Sequence, residues 1–292
     1  MKKNWFLYGL SFLGALVLFM AIGGFVISLV AVLKSGKKVS GPAIGVLKIK
    51  GVILDADNYL EDIRELERSS NVKAVVVRIE SPGGSVGSAQ EIFEELLRLG
   101  KKKPVVVSMG NVAASGGYYV ALAGKEIYAL PGTLTGSIGV IIEIPNIKKL
   151  MDKLGIQTEA IKTGPYKDTG AFYRPLTQKE KEYLKKKVEN ILNQFVSAIV
   201  KQRHLPLKKV KEIADGRIFT GEEAKKLGLI DKLGNFWDAV SEAAKLAGIK
   251  HYTLVTYPRK KSFFEKFLET KNKDYIREVK ALVFKPLYLA VP

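Results

Sequence analysis

Beyond residue 40 the apolar side chains follow two rhythms: short runs that are apolar at nearly every position, and longer stretches where they return every three or four residues. The runs at 44–49, 74–79, 104–109, 126–130 and 138–142 predict strands. Several are apolar on both faces, which belongs to a sheet covered on both sides and mainly parallel. Between the runs, residues 59–67, 86–99 and 115–123 carry the helical rhythm and supply the crossovers that parallel strands need. The chain therefore reads as α/β. Thr177 with Glu180, and Thr220 with Glu223, have capping-box spacing, and predict a long charged helix to about Lys201 and a second helix further on. A helix over 235–247 stops at Gly248. After it come an apolar run at 252–257 and a basic tail holding Phe263, Phe264, Phe267 and Leu268, suited to lie on a membrane or against a neighbouring subunit.

Ahead of this region the rhythm disappears. From Asn4 to Leu33 there are thirty residues without a charge, rich in Leu, Phe, Val and Ile. As a helix at about 1.5 Å per residue they span about 45 Å, against roughly 30 Å of bilayer hydrocarbon. A cleavable leader has an apolar stretch of only about 7–15 residues ending at a small-residue site. Ala21-Ile22-Gly23, the nearest such site, lies inside the run, so the expectation is an uncleaved transmembrane helix. Lys2 and Lys3 on one side are nearly balanced by Lys34, Lys37 and Lys38 on the other, so charge alone leaves the orientation open. Three parts follow: an anchor over 1–39, an α/β domain over 40–250 and a basic tail over 251–292.

Of the 292 residues, 47% are hydrophobic and 26% charged, an ordinary balance for a packed protein. The absence of cysteine excludes disulfides, thiolate zinc sites and a cysteine nucleophile. A net charge of +18 draws such a surface to anionic lipid or nucleic acid. Lipid is the better match, because the chain has no zinc-finger spacing, no aromatic RNA-binding signature and no evident recognition helix.

Two glycine-rich points follow predicted strands. Ser81-Pro82-Gly83-Gly84-Ser85 frees backbone N–H groups to face a bound oxyanion, and the same string also serves as a plain turn into the next helix. It has neither dinucleotide-binding nor P-loop spacing. Ala113-Ala114-Ser115-Gly116-Gly117-Tyr118-Tyr119 sets a serine among small residues at a helix start, which suits a nucleophile and equally suits a helix cap. A serine nucleophile needs a base. His204 and His251 are the only histidines, and neither has a companion motif, so a histidine triad is poorly supported. A lysine serves as base when burial and apolar neighbours lower its pKa, but composition does not say which of the many lysines that is.

At these residues the sequence resembles the bacterial signal peptide peptidases, Ser–Lys peptidases that share the Clp protease and crotonase fold. The strings are Ser81-Pro82-Gly83-Gly84, Ser108-Met109-Gly110, and Ala113-Ala114-Ser115-Gly116-Gly117-Tyr118-Tyr119. Next come Leu134-Thr135-Gly136-Ser137-Ile138-Gly139-Val140, Gly164-Pro165-Tyr166-Lys167-Asp168, Arg174-Pro175-Leu176-Thr177 and Ala214-Asp215-Gly216-Arg217, in family order. The resemblance implies that Ser115 attacks the scissile carbonyl, Lys167 takes its proton, and Gly84 and Gly116 donate N–H groups to the oxyanion. It also implies that Ser137 hydrogen-bonds the lysine amine. Asp168, if it reached that amine, would hold it protonated, so it is expected to point away.

The resemblance further implies an N-terminus in the cytoplasm and a catalytic domain outside the cell membrane. The chain corresponds to the short form of the family, in which serine and lysine come from one chain in a site completed by packing into a ring-shaped homo-oligomer. Its implied substrates are cleaved signal peptides and other apolar peptides in the lipid bilayer, with no metal, organic cofactor or nucleic acid involved. Two other classes compete. A crotonase-like acyl-CoA enzyme would ordinarily be soluble and need a carboxylate acid/base pair, and a catalytically silent membrane scaffold would not need Ser115, Lys167 and Ser137 intact.

Overall fold

The computed structural model describes residues 13–14, 16–25, 41–258 and 287–289. The chain divides into two compact units, Met1–Ser40 and Gly41–Pro292. In the first, the described residues are helical, with Leu18, Phe19 and Phe25 among its exposed apolar side chains. Most of the expected anchor over 1–39 lies outside the described residues. Among those that are described, no helix is long and apolar enough to cross a membrane.

The second unit is built on an eight-stranded sheet. Its strands are β1 (Ala43–Lys50), β2 (Val72–Ser81), β4 (Val105–Ala114), β5 (Glu126–Ala129), β6 (Leu134–Gly136), β7 (Ile218–Thr220), β8 (Lys232–Leu233) and β9 (Thr253–Tyr257). The order is β7-β6-β4-β2-β1-β9, with β5 also on β4 and β8 on β5. All pairs are parallel except β6 with β7. A second, two-stranded antiparallel sheet joins β3 (Gly83–Ser85) to β10 (Leu287–Leu289).

The central strands are apolar on both sides because helices cover both. On one face α8 (Phe236–Leu246) seats Ala239, Val240 and Ala243 against Ile44, Ala74, Val76 and Val106. α1 (Asp57–Arg68) lies close over β1, where a Cβ on Gly45 would come within 2.2 Å of Leu66. α2 (Val86–Gly100) buries Ala89, Ile92, Leu96 and Leu99. The long helix α5 (Gln178–Arg203) opens with the expected capping box, Thr177 accepting from the Glu180 N–H while Glu180 accepts from the Thr177 N–H. Between it and the sheet runs the short helix α3 (Gly116–Ala121). Tyr119 of α3 sits edge-on to Phe93 of α2, ring centres 5.0 Å apart, and contacts Phe195 of α5. The remaining helices are α4 (Lys148–Lys153), α6 (Leu207–Ile213) and α7 (Gly221–Leu227), the last carrying the Thr220–Glu223 capping box.

One predicted strand is displaced. Residues 138–142 do not form a strand; the pairing segment is β6, just ahead of them. Gly136 and Ser137 adopt φ of 78° and 47°, which ends extended structure before Ile138. Ile138 is fully buried without belonging to a ladder, whereas Ile141 is exposed.

Tyr118, fully buried, ties α3 to the far end of the domain by donating its hydroxyl to the Leu229 carbonyl at 2.9 Å. Burial raises the phenol above its ordinary pKa, so it stays a neutral donor. Tyr118→Phe leaves that carbonyl without its donor, and we expect a loss of about 1–3 kcal/mol with an unchanged m-value in urea unfolding. A change below the error of the measurement would mean that water replaces the hydroxyl.

Candidate functional site

Parallel pairing brings two of the candidate residues together. β4 meets β6 with Ala113 opposite Thr135 and Ala114 opposite Gly136, so Ser115 and Ser137 are the next residues on two adjacent strands. Both leave the sheet in the left-handed region, at φ of 53° and 47°. With His204 they are the non-glycine residues at positive φ among the described ones. Such a conformation costs of order 1–3 kcal/mol and persists where surrounding contacts enforce it. Here the Ser115 N–H donates to the Gly136 carbonyl at 2.8 Å, and the Ser137 N–H donates to the Arg217 carbonyl at 2.8 Å. The Gly216 N–H reaches the Ile138 carbonyl, so the string at 214–217 packs on the string at 134–140.

Ser115 caps α3 and is completely buried, and its Oγ has no hydrogen-bond partner. A buried hydroxyl without a partner ordinarily costs free energy, which sets this serine apart among the described residues. The approach to it is tightly fixed. Thr133 and Thr135 donate their hydroxyls to the Gly110 and Ala113 carbonyls, both at 2.7 Å. The Glu80 carboxylate, paired with Arg78, accepts from the Asn111 N–H at 3.0 Å. A Cβ on Gly110 would come within 1.7 Å of the Glu80 carboxylate, so a larger residue here would push that side chain aside.

Gly84 lies on β3, held on one edge by Ile53. The Ile53 N–H donates to the Gly83 carbonyl at 2.8 Å, and the Ser85 N–H to the Ile53 carbonyl at 2.7 Å. Successive peptide groups of a strand face opposite edges. The N–H and C=O of Gly84 itself therefore face away from Ile53. A Cβ on Gly84 would come within 2.1 Å of the Ile53 carbonyl oxygen. Gly116, the first residue of α3, has an N–H without an intrahelical acceptor. Gly117 lets α3 close on β2, where a Cβ would meet the Ser81 carbonyl oxygen at 2.8 Å.

Lys167 lies apart from Ser115. It sits in a turn, its N–H bonded to the Gly164 carbonyl, with an exposed side chain that makes no bond to the Ser115 hydroxyl. The next residue is firmly held. Arg174 donates to both Asp168 oxygens, from Nε at 2.9 Å and Nη2 at 2.8 Å, and Lys162 pairs with the same carboxylate. Arg174 also bonds Glu180, which caps α5. Arg174 first, then Lys162, holds Asp168 well below the usual carboxylate range, and Arg174 does the same for Glu180. Asp168 is thus engaged elsewhere, as expected. Tyr166 stacks on Tyr183 of α5, ring centres 4.9 Å apart, and fixes the other side of the turn.

Both histidines are exposed, His204 as the left-handed C-cap of α5 and His251 in the turn before β9. Sequence reasoning quoted Arg174 in a motif without giving it a role, and it missed Ile53 and Glu80. A backbone partner such as Ile53 leaves no side-chain signature to find.

The model described as peptidase family S49 matches residues 98–250, and that described as Clp protease matches residues 54–136. A putative protease of Synechocystis sp. is 48% identical over 176 residues, covering 60% of this chain and 64% of that protein. A putative protease of Methanocaldococcus jannaschii is 39% identical over 203 residues, 70% of this chain and 65% of that one. A putative signal peptide peptidase SppA of Enterococcus faecium is 32% identical over 225 residues, 72% of this chain and 65% of that one. The chain thus matches just under two thirds of the length of each.

The Arg174 network gives a pH-dependent expectation. Asp168 and Glu180 have folded pKa values below their unfolded ones, so the stability they contribute is complete above the unfolded carboxylate range, about 4, and is lost as pH falls below it. Arg174→Ala should therefore lower Tm by several degrees at pH 7, and the gap to the parent should narrow between about pH 4 and pH 2. Thermal melts at a series of pH values test this, and a gap independent of pH would assign Arg174 a packing role instead.

Proposed function

The chain belongs to peptidase family S49, a family of serine-type peptidases, and from that premise we propose that it is a membrane-bound endopeptidase acting through Ser115 and Lys167. The observation that carries the proposal is the buried, unpartnered Oγ of Ser115 at a strained turn. In this reading Oγ attacks the scissile carbonyl and gives its proton to the neutral Lys167 amine. The N–H groups of Gly84 and Gly116 stabilise the oxyanion, and the Ser137 hydroxyl orients the amine. The protonated amine then gives its proton to the leaving nitrogen as the C–N bond breaks. Water, deprotonated by the same amine, cleaves the acyl-enzyme and regenerates Ser115.

In the single chain the serine is buried without a partner and the lysine is exposed, so the pair forms only on further packing. We assign that packing to a homo-oligomer built on a Clp protease/crotonase-type core. Support comes from the segment around Lys167, which exposes Leu150, Leu154, Ile156, Ile161, Tyr166 and Phe172 to solvent, a density of apolar surface that marks an interaction site. The uncharged stretch from Asn4 to Leu33 anchors the chain in the cell membrane, with the catalytic domain on the extracytoplasmic side. The substrates are cleaved signal peptides and other apolar peptides, bound as extended strands whose main-chain bonds supply affinity. The relative in Enterococcus faecium carries the name signal peptide peptidase.

Ser115→Ala and Lys167→Ala should each lower hydrolysis of an apolar peptide by at least about a thousandfold, and the double variant should be no worse, because the pair acts as one unit. A fluorophosphonate should label the parent at Ser115 alone. His204→Gln and His251→Gln should stay within a few-fold of the parent rate. Retained activity in Lys167→Ala together with loss in a histidine variant would replace the lysine base by a histidine.

A further inference from the structure

β2 and β4 pair without interruption from Val75 with Val105 to Ile79 with Met109, and the next pair is Ser81 with Ala113. Glu80 therefore faces Gly110, Asn111 and Val112 together, so β4 bulges just before the turn at Ser115. A bulge frees main-chain groups from the ladder and redirects the strand. Here side chains take up the freed groups. Arg78 donates from Nη1 to the Met109 carbonyl at 3.1 Å and to the Ser108 hydroxyl at 2.9 Å, and from Nη2 to Glu80 Oε1 at 3.0 Å. Glu80 Oε2 accepts from the Asn111 N–H at 3.0 Å, and the Thr133 hydroxyl bonds the Gly110 carbonyl. We propose that Arg78 and Glu80 are positioning residues for Ser115, because they hold the bulge that sets where β4 delivers the nucleophile.

The inference rests on the reading of Ser115 as the nucleophile. Past the bulge, Val112, Ala113 and Ala114 pair with Leu134, Thr135 and Gly136, and the serine turn follows at once. If the bulge lost one residue to the ladder, Ser115 would move by about 3.3 Å along the strand and the alternation of side chains would invert. A misplacement of about 1 Å is enough to lower a rate by about a hundredfold. Plain strand pairing does little to oppose such a slip, since every residue offers the ladder the same N–H and C=O. The guanidinium fork does oppose it, because it meets Ser108, Met109 and Glu80 together only in the bulged register, and a lysine has no such fork. Neither side chain bonds the Ser115 hydroxyl, so the effect passes through the main chain of β4. Arg78 and Glu80 also compensate each other's charge where both are largely buried.

The test uses the full chain. Glu80→Ala should lower kcat for an apolar peptide at least about thirtyfold with KM within about twofold, and slow fluorophosphonate labelling of Ser115 to match, because reacting geometry changes and binding does not. Glu80→Gln keeps an acceptor for the Asn111 N–H and should return kcat to within about fivefold of the parent. Val76→Ala, in the buried core of the same strand, should lower Tm and leave kcat unchanged. If Glu80→Ala does not fold because Arg78 is left unpaired, the double change Arg78→Met with Glu80→Leu replaces both ions by apolar groups, should fold, and should show the same loss of kcat. Hydrogen exchange should be faster at residues 110–115 in the folded variant and unchanged at residues 105–108. Parent-like kcat in a folded variant lacking the Glu80 carboxylate, or an equal loss of kcat in Val76→Ala, would overturn the proposal. If no form cleaves any peptide, the peptidase reading falls, and the exchange comparison still decides whether the pair holds the bulge.

Discussion

The register between β4 and β6 ends at Ala114 opposite Gly136, and the following residue on each strand, Ser115 and Ser137, turns left-handed. Neither turn is cheap for a residue with a side chain. Each is enforced by a main-chain hydrogen bond from its own N–H, to Gly136 in one case and Arg217 in the other. Much of the domain serves to hold this pair of turns. The Thr133 and Thr135 hydroxyls and the Glu80 carboxylate fix the last residues of β4, while the Phe93, Tyr119 and Phe195 rings and the Tyr118 hydroxyl fix the helix that follows. Close backbone approaches at Gly84 and Gly117 oppose any larger residue. The same parallel pairing that buries the apolar strands therefore delivers two serines side by side at the sheet's carboxyl end, where open α/β sheets bind ligands.

The lysine segment obeys a different physics. Its turn is held by charge, through Arg174 bridging Asp168 and Glu180, and by the Tyr166–Tyr183 stack. The bridge connects the segment to the cap of α5 and commits the carboxylate beside Lys167 to a guanidinium. What remains is a cation on an apolar, exposed stretch and, elsewhere in the chain, an orphaned buried hydroxyl. The orphaned hydroxyl is unfavourable where it stands, whereas the exposed amine is hydrated by solvent. The pairing of β10 with β3 belongs to the same picture: strand edges left open attract other strands, and here the chain covers its own.

Much was legible in the residues. The continuous apolar runs and the 3.6-residue rhythm located β1, β2, β4, β5 and the helices between them, and the capping boxes at Thr177 and Thr220 sit where helices begin. These signals are local, so a one-dimensional reading captures them. The glycine strings likewise announced close backbone approach. The strand placed at 138–142 failed because burial and extension were treated as one signal, whereas Ile138 is buried in a loop and the backbone had already turned at Gly136. What the amino-acid order fixed, then, is the α/β class, the candidate residue types and membership of a peptidase family. Which groups meet was decided only in three dimensions: Ile53 against Gly84, the Glu80 carboxylate against Gly110, the Arg174 guanidinium against Asp168, and β10 along β3. The Arg174 bridge spans six residues of irregular chain, and the others join residues far apart or run through main-chain atoms that every residue shares; none leaves a periodic trace in sequence.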